Sequence, residues 1–263
     1  VNTGDAAGGD TFNITFNDLK TAKTGLKAGE EIVVTYNGKI NSTAAAKTGR
    51  PGYENKVQLE YSNNPDSDGA GSTGKTPWDV VVAFTYKVSG TKISSANDKL
   101  ANAKFRLYTD SNCTQEVKTA KEGSNYVVGA STGADIVSDS NGVFNIVGLD
   151  GGTYYLKEVA APTGYKPLTS ALKLTITPTF TTDRNSYTDG AGATANVLKT
   201  LSATLDTKTL TTDVATGNVS VTVTNKKGVK LPVTGSAVTA IMVTAGGAFM
   251  IAAVRRKKSE DAE

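Results

Sequence analysis

The sequence predicts an all-β protein, with antiparallel β-sandwich domains of immunoglobulin-like size followed by one transmembrane helix. Apolar and polar residues alternate in short runs through the first 228 residues, which is the period of half-buried strands. No run in that part has sustained helical periodicity. An uncharged apolar run lies close to the C-terminus and has the length of a bilayer-spanning helix. Together these patterns favour a sandwich fold with a C-terminal membrane segment.

The first predicted region, residues 1–77, has strand patterns at 12–16, 32–36 and 57–61, separated by turn residues. Three strands are few for an independent sandwich, so we expect the C-terminal part of a truncated domain. The absence of an export signal at the start agrees with a chain that begins late. Residues 62–77 are polar and rich in Gly, Ser and Asp, which predicts a linker.

The second predicted domain spans residues 78–228 and is an Ig-like sandwich. Its Thr-, Asp- and Gly-rich section at 178–216 should add one or two edge strands and loops. The main strands are predicted at 80–88, 104–108, 142–146, 154–159, 172–176 and 219–224.

The third predicted region, residues 229–263, combines a short motif, an apolar run and a basic tail. The run at 237–254 has eighteen uncharged residues, and at about 1.5 Å per residue a helix of this length spans roughly 27 Å. The four cations that follow it favour the cytoplasmic side, so the preceding chain should lie outside the cell. The motif before the run is Leu231-Pro232-Val233-Thr234-Gly235, and the tail begins Arg255-Arg256-Lys257-Lys258.

Composition excludes several functions. The 28 basic and 25 acidic residues nearly balance, which gives no support to nucleic-acid binding. There is no histidine, so the usual general base and zinc ligand are missing, and we expect no metal, no cofactor and no ordinary enzyme. The single cysteine, Cys113, permits no internal disulfide. It should lie at a hairpin, and a thioester with Gln115 is a remote alternative.

The motif LPVTG resembles the LPxTG sorting signal of Gram-positive surface proteins. The resemblance implies that a sortase cleaves between Thr234 and Gly235 and joins Thr234 to peptidoglycan or to another pilin subunit. It also implies transient membrane anchoring and a final location in the cell wall or a pilus. An ordinary single-pass anchor preceded by a chance turn is the alternative.

The second region resembles the Cna protein B-type domain of Gram-positive pilins and adhesins. The resemblance rests on LANAKFRLYTD at 100–110, NGVFNIVGLDGGTYYLKEVAAPTGYKPL at 141–168 and VTVTNKKG at 221–228. It implies an isopeptide bond between Lys87 and Asn225, assisted by Glu158. The segments TFNITF and NKVQLEYSNNP resemble the preceding domain of fimbrial backbone subunits, in which Asn55 lies where a second bonding asparagine often occurs. Its partners would lie upstream, so we expect Asn55 to be unbonded here.

The residue chemistry is compatible with that bond. Burial lowers the pKa of a lysine and yields a neutral amine, whereas a buried carboxyl group stays protonated and is expected to hydrogen-bond the Asn225 amide and polarise its carbonyl. The alternative is that Lys87 and Glu158 form a surface pair and Asn225 is a turn residue. A rival role for Lys87 is as the acceptor lysine of a pilin motif, because WDVVVAFTYK places Trp78, Val82 and Lys87 at the matching spacing. The motif's YPK core is absent.

The resulting interpretation is a structural subunit of a sortase-assembled pilus that crosslinks itself. Its partners would be sortase, other pilin subunits and peptidoglycan. The alternative is a minor pilin or a monomeric wall-anchored adhesin that binds host or matrix ligands on the same scaffold.

Overall fold

A computed structural model of the protein describes residues 13–16, 25, 27, 29–37, 40, 47–64 and 72–228. The chain divides into two compact units, residues 1–39 and 40–263. In the first unit, the described residues of two predicted strands, 14–16 and 32–36, lie outside regular strands. LPVTG and the predicted transmembrane helix lie outside the described residues. Within the described ranges, no helix is both long enough and apolar enough to cross a membrane.

In the described part of the second unit, the regular secondary structure is almost entirely β-strand. Two 3₁₀ helices, Arg184–Ser186 and Ala191–Ala193, interrupt them. The strands are β1 (Tyr53–Val57), β2 (Glu60–Ser62), β3 (Thr73–Lys75), β4 (Asp79–Ala83), β5 (Tyr86–Ser94), β6 (Lys104–Tyr108), β7 (Glu116–Val117), β8 (Thr119–Glu122), β9 (Asn125–Val128), β10 (Ile136–Val137), β11 (Val143–Leu149), β12 (Gly152–Ala160), β13 (Leu172–Phe180), β14 (Leu198–Leu205), β15 (Lys208–Thr209), β16 (Thr211–Asp213) and β17 (Asn218–Asn225).

Two sheets pack face to face and confirm the predicted all-β sandwich. Sheet I has the order β10-β6-β12-β13-β14-β15, with β7 also paired to β6, and sheet II has the order β16-β17-β5-β11-β9-β8. Alternating apolar residues of both sheets meet in one core. Phe105 of β6 and Phe144 of β11 pack there with ring centroids 4.9 Å apart.

The centre of sheet II brings together strands that are far apart in sequence. β5 and β17 run parallel, with Lys92 beside Val223 and Ser94 beside Asn225. Parallel neighbours cannot be joined by a tight hairpin, and here most of the domain lies between them along the chain. A covalent link between these two strands would therefore enclose nearly the whole sandwich.

The structure corrects the predicted boundary at residue 77. β1 pairs with β4 in an antiparallel register that places Tyr53 opposite Ala83 and Val57 opposite Asp79. Strands from both sides of the predicted boundary thus share one small sheet. The end of the predicted linker also forms a strand, because β3 pairs with β2.

Residues 49–54 attach the β1–β4 pair to the sandwich. The backbone N–H of Gly49 donates to Thr85 O and that of Arg50 donates to Ala215 O, each at 2.8 Å. The Glu54 carboxylate accepts from the backbone N–H groups of Gly190 and Gly192 at 3.0 and 2.9 Å. This segment is therefore part of the second unit.

Candidate functional site: a buried lysine, asparagine and glutamate

Lys92 lies in the core because of the alternation along β5. Residues at even positions from Tyr86 to Ser94 are buried, and those at odd positions are half-buried on the other face. Lys92 falls in the buried set, and its side chain has no solvent exposure. Its ammonium nitrogen donates to Val223 O at 3.3 Å and contacts Oδ1 of Asn225.

Asn225 is the last residue of β17 and is also buried. Its Oδ1 faces Lys92, while Nδ2 donates to Glu158 Oε2 at 2.9 Å and to Lys166 O at 2.8 Å. Both amide ends therefore have defined partners. The side-chain amide carbon, which is bonded to Oδ1, is held beside the lysine amine.

Glu158 reaches the site from the opposite sheet, on β12. Its Oε2 accepts from Asn225 Nδ2 and from the backbone N–H of Leu168, at 2.9 and 2.8 Å. Its Oε1 lies 3.7 Å from Lys92 Nζ and has no hydrogen-bond partner. The carboxyl group contacts the nitrogen of the Asn225 amide and not its oxygen, which differs from the expectation that it would polarise the carbonyl.

The electrostatics of the site make the uncharged amine of Lys92 easier to form than that of an exposed lysine. Burial lowers the pKa of Lys92 from 10.5 to about 8, and the nearby Glu158 carboxylate opposes this shift without cancelling it. A substantial fraction of this lysine is therefore neutral at mildly alkaline pH. An amine, an amide carbon and a carboxyl group in contact and shielded from water are the groups that a transamidation requires.

The structure places Lys92, not Lys87, beside Asn225. Lys87 is also on β5, but it belongs to the outward-facing set and lies between Val147 of β11 and Asn218 of β17. The sequence did contain a signal for the lysine that lies beside Asn225. Tyr86 and Val88 mark the buried face, and the period of two places Lys92 on that face and Lys87 on the other.

Sequence analysis also missed two backbone groups of the site, Lys166 O and Leu168 N. The other candidate residues lie elsewhere. Asn55 is exposed on β1, opposite Val81. In the rival pilin motif, Trp78 is exposed, and Phe84 and Thr85 lie outside regular structure between β4 and β5. Cys113 occupies a turn in which Asp110 accepts from the backbone N–H groups of Thr114 and Gln115.

The class defined by this fold and site is a prealbumin-like or Ig-like sandwich with a buried lysine, asparagine and glutamate at one end of its core. Residues 86–190 match the sequence family of the SpaA prealbumin-like fold domain. That range includes Lys92 and Glu158. Residues 86–190 thus resemble the SpaA-type domain, and the resemblance of the chain to Gram-positive pilins with a Cna B-type domain is confirmed.

Individual proteins show the same similarity. The trypsin-resistant surface T6 protein of Streptococcus pyogenes serotype M6 is 25% identical over 185 residues, covering 60% of this chain and 30% of that protein. The group B streptococcus pilus 2b backbone protein is 24% identical, covering 64% of this chain and 49% of that structure, with a TM-score of 0.38. The T6 backbone pilin of serotype M6 Streptococcus pyogenes is 19% identical, covering 69% of this chain and 44% of that structure, with a TM-score of 0.40. The chain therefore spans less than half the length of each.

Proposed function

We propose that this chain belongs to a structural subunit of a Gram-positive cell-surface pilus and that its sandwich is crosslinked by an isopeptide bond between Lys92 and Asn225. The observation that supports the bond is the burial of Lys92 in contact with Asn225, with Glu158 beside both. The similarity to pilins supports the role in a pilus. The chain would be a substrate of sortase and not itself an enzyme that turns over.

The proposed reaction exchanges one amide for another. The protonated Lys92 transfers a proton to Oε1 of Glu158, and the neutral amine attacks the side-chain carbon of Asn225. A carbon–nitrogen bond forms between Lys92 and Asn225, and the bond from that carbon to Nδ2 breaks. Protons from the attacking nitrogen and from Glu158 leave with Nδ2 as ammonium, so Glu158 ends as a carboxylate and no cofactor is consumed.

The bond should strongly stabilise the domain. It closes a loop across a sequence separation of 133 residues. By analogy with disulfides, such a loop constrains the unfolded chain by about 5 kcal/mol.

Intact mass separates Lys92 from Lys87 as the bonding residue. The purified chain should be lighter than its sequence mass by one ammonia, and Lys92→Gln should restore the full mass. The matched variant Lys87→Gln, on the same strand but on its outer face, should still lose ammonia. An unmodified wild-type mass would overturn the bond. An unmodified mass in Lys87→Gln alone would assign the bond to Lys87, as the sequence predicted.

The second part of the proposal is covalent linkage by sortase through Leu231-Pro232-Val233-Thr234-Gly235. In the complete protein expressed with its sortase, we expect SDS-resistant multimers in the muramidase-released wall fraction. Thr234→Ala should leave the protein extractable from the membrane by detergent, because the acyl-donor threonine is lost while the apolar run remains. A wall-linked product without multimers would instead favour the monomeric adhesin, and a Thr234→Ala protein that still needs muramidase would contradict the sorting role.

A further inference from the structure

The segment that follows β12 crosses to the end of β17 and covers the buried site. We call residues 164–168 the strap. Its Tyr165 forms an isolated antiparallel bridge with Lys227. The backbone N–H of Lys166 donates to Lys226 O at 3.0 Å, and the backbone N–H of Gly228 donates to Gly164 O at 2.7 Å. The strap is therefore paired with the three residues directly after Asn225.

Two backbone groups of the strap contact the reacting side chains. Lys166 O accepts from Asn225 Nδ2, and Leu168 N donates to Glu158 Oε2, each at 2.8 Å. Lys92 approaches Asn225 at the opposite end of the amide, through Oδ1. The strap thus contacts the departing nitrogen and Oε2 of the carboxyl group, while Oε1 of the same carboxyl group stays beside the attacking amine.

These contacts make the two oxygens of Glu158 unequal. Oε2 accepts from two N–H donors, whereas Oε1 has no hydrogen-bond partner and lies 3.7 Å from Lys92 Nζ. The donor from Leu168 keeps Oε2 occupied, so Oε1 is the oxygen that is open to the lysine proton. The two acceptors on Asn225 Nδ2 also fix the amide orientation, because a flipped amide would place its oxygen against Lys166 O and leave N–H groups facing the lysine.

We propose that the strap is the positioning segment for formation of the Lys92–Asn225 bond, with the Leu168 backbone N–H orienting Glu158 and the Lys166 carbonyl orienting Asn225. This inference rests on the proposed crosslinking reaction. Because the strap pairs with residues 226–228, the reaction is expected to begin only after these residues have docked. The side chains of the strap should have little effect on the reaction rate, since both contacts come from the backbone.

The test compares two substitutions at one position. Leu168→Pro removes the N–H donor, whereas Leu168→Ala keeps it and removes most of the side chain. Each is made in the full chain by cell-free translation, and loss of ammonia is followed over time by intact mass. Loss of a hydrogen bond to a buried carboxylate should slow Leu168→Pro about ten- to a hundredfold, while Leu168→Ala and the side-chain control Lys166→Ala should react at nearly the wild-type rate.

The same substitutions in a Lys92→Met background, which cannot crosslink, report on the fold by thermal unfolding. Leu168→Pro could also disturb the fold, which would show as a lower unfolding temperature than that of Leu168→Ala. In that case a third variant is made in which the α-hydroxy acid of leucine replaces Leu168, which removes the N–H while retaining the side chain. Equal rates for this ester and the wild type would overturn the role of the strap. A wild-type chain that never loses ammonia would instead overturn the crosslink itself.

Discussion

At the scale of single residues, Lys92 has the most unusual environment in the described part of the chain. Its side chain is fully buried, and burial lowers its pKa to about 8 although Glu158 is near. Before the bond forms, the folded protein therefore has to hold this lysine partly neutral or tolerate a buried charge. In the proposed crosslink, this nitrogen would be part of an amide that no longer titrates.

The first prediction is a pH dependence that appears only when the bond cannot form. In Asn225→Ala, Lys92 and Glu158 remain buried together without a crosslink. Between pH 8 and pH 10.5 the unfolded lysine is protonated while the folded one is largely neutral, so the unfolded state binds more protons and stability rises with pH. The free energy of unfolding should increase by roughly 3 kcal/mol across this interval.

Urea unfolding at several pH values measures this effect. The control is Lys92→Met/Asn225→Ala, which keeps every other titrating group, including the buried Tyr86. The difference in unfolding free energy between the two variants isolates Lys92. A difference that stays constant from pH 8 to pH 10.5 would show that Lys92 titrates normally and is not buried as the structure has it.

At the scale of secondary structure, β5 determines which residues can reach the site. Phe144 of β11 lies opposite Gly90 of β5, and a Cβ at residue 90 would collide with the Phe144 ring. Gly90 thus lets the aromatic ring lie over the strand beside its contact with Phe105. The close approach helps to fix the register of β5, two residues before Lys92.

The second prediction is that Gly90→Val destabilises the sandwich by about 1 to 3 kcal/mol, since the added side chain overpacks the core. Thr91→Val is the matched control, because residue 91 lies on the outer face of the same strand. Its effect should be within about 0.5 kcal/mol. Thermal unfolding in a Lys92→Met background measures both without interference from the crosslink, and equal stability of the two variants would contradict the packing at Gly90.

The same strand explains what the sequence could and could not predict. The alternation at 104–108 and 219–224 located β6 and β17, because these strands have one buried face. Lys87 was chosen from the family resemblance, whereas the alternation that begins at Tyr86 and Val88 places Lys87 on the outer face and Lys92 on the buried face. Short edge strands such as β7 and β10, with two residues each, carry no periodic signal. Parallel pairing of β5 and β17 depends on packing across the whole domain and has no local signature.

At the scale of the whole molecule, the proposed bond would divide the sandwich into a part that bears tension and a part that does not. A force that enters before β1 and leaves after β17 would pass along the chain to Lys92 and then directly to Asn225. The residues between these two positions would be bypassed. Upstream of Lys92, the chain in the path includes β1, β4 and the first part of β5.

The β1–β4 pair is oriented so that it should open easily. Tyr53 and Ala83 are paired at the end where the force would enter and leave the two strands. Their hydrogen bonds would therefore break one after another and not together. The Gly49–Thr85 and Arg50–Ala215 hydrogen bonds hold this end, and the Arg50 guanidinium also donates to Leu198 O at 2.5 Å.

The third prediction concerns single-molecule stretching between cysteines introduced as Lys47→Cys and Lys227→Cys, with Cys113→Ser to remove the native thiol. The crosslinked protein should extend by at most about 150 Å, the length of the chain upstream of Lys92. Lys92→Gln should extend by roughly 600 Å because the whole sandwich can unravel, whereas Lys87→Gln should behave as the crosslinked protein.

Arg50→Ala should lower the force of the short extension without changing its length, since it weakens the attachment at the open end of the β1–β4 pair but leaves the bond in place. An extension of roughly 600 Å in the crosslinked protein would mean that the bond does not carry the force. The absence of any extension before rupture of the handles would mean that the β1–β4 pair resists tension as strongly as the covalent path, and the proposed division of the sandwich would be wrong.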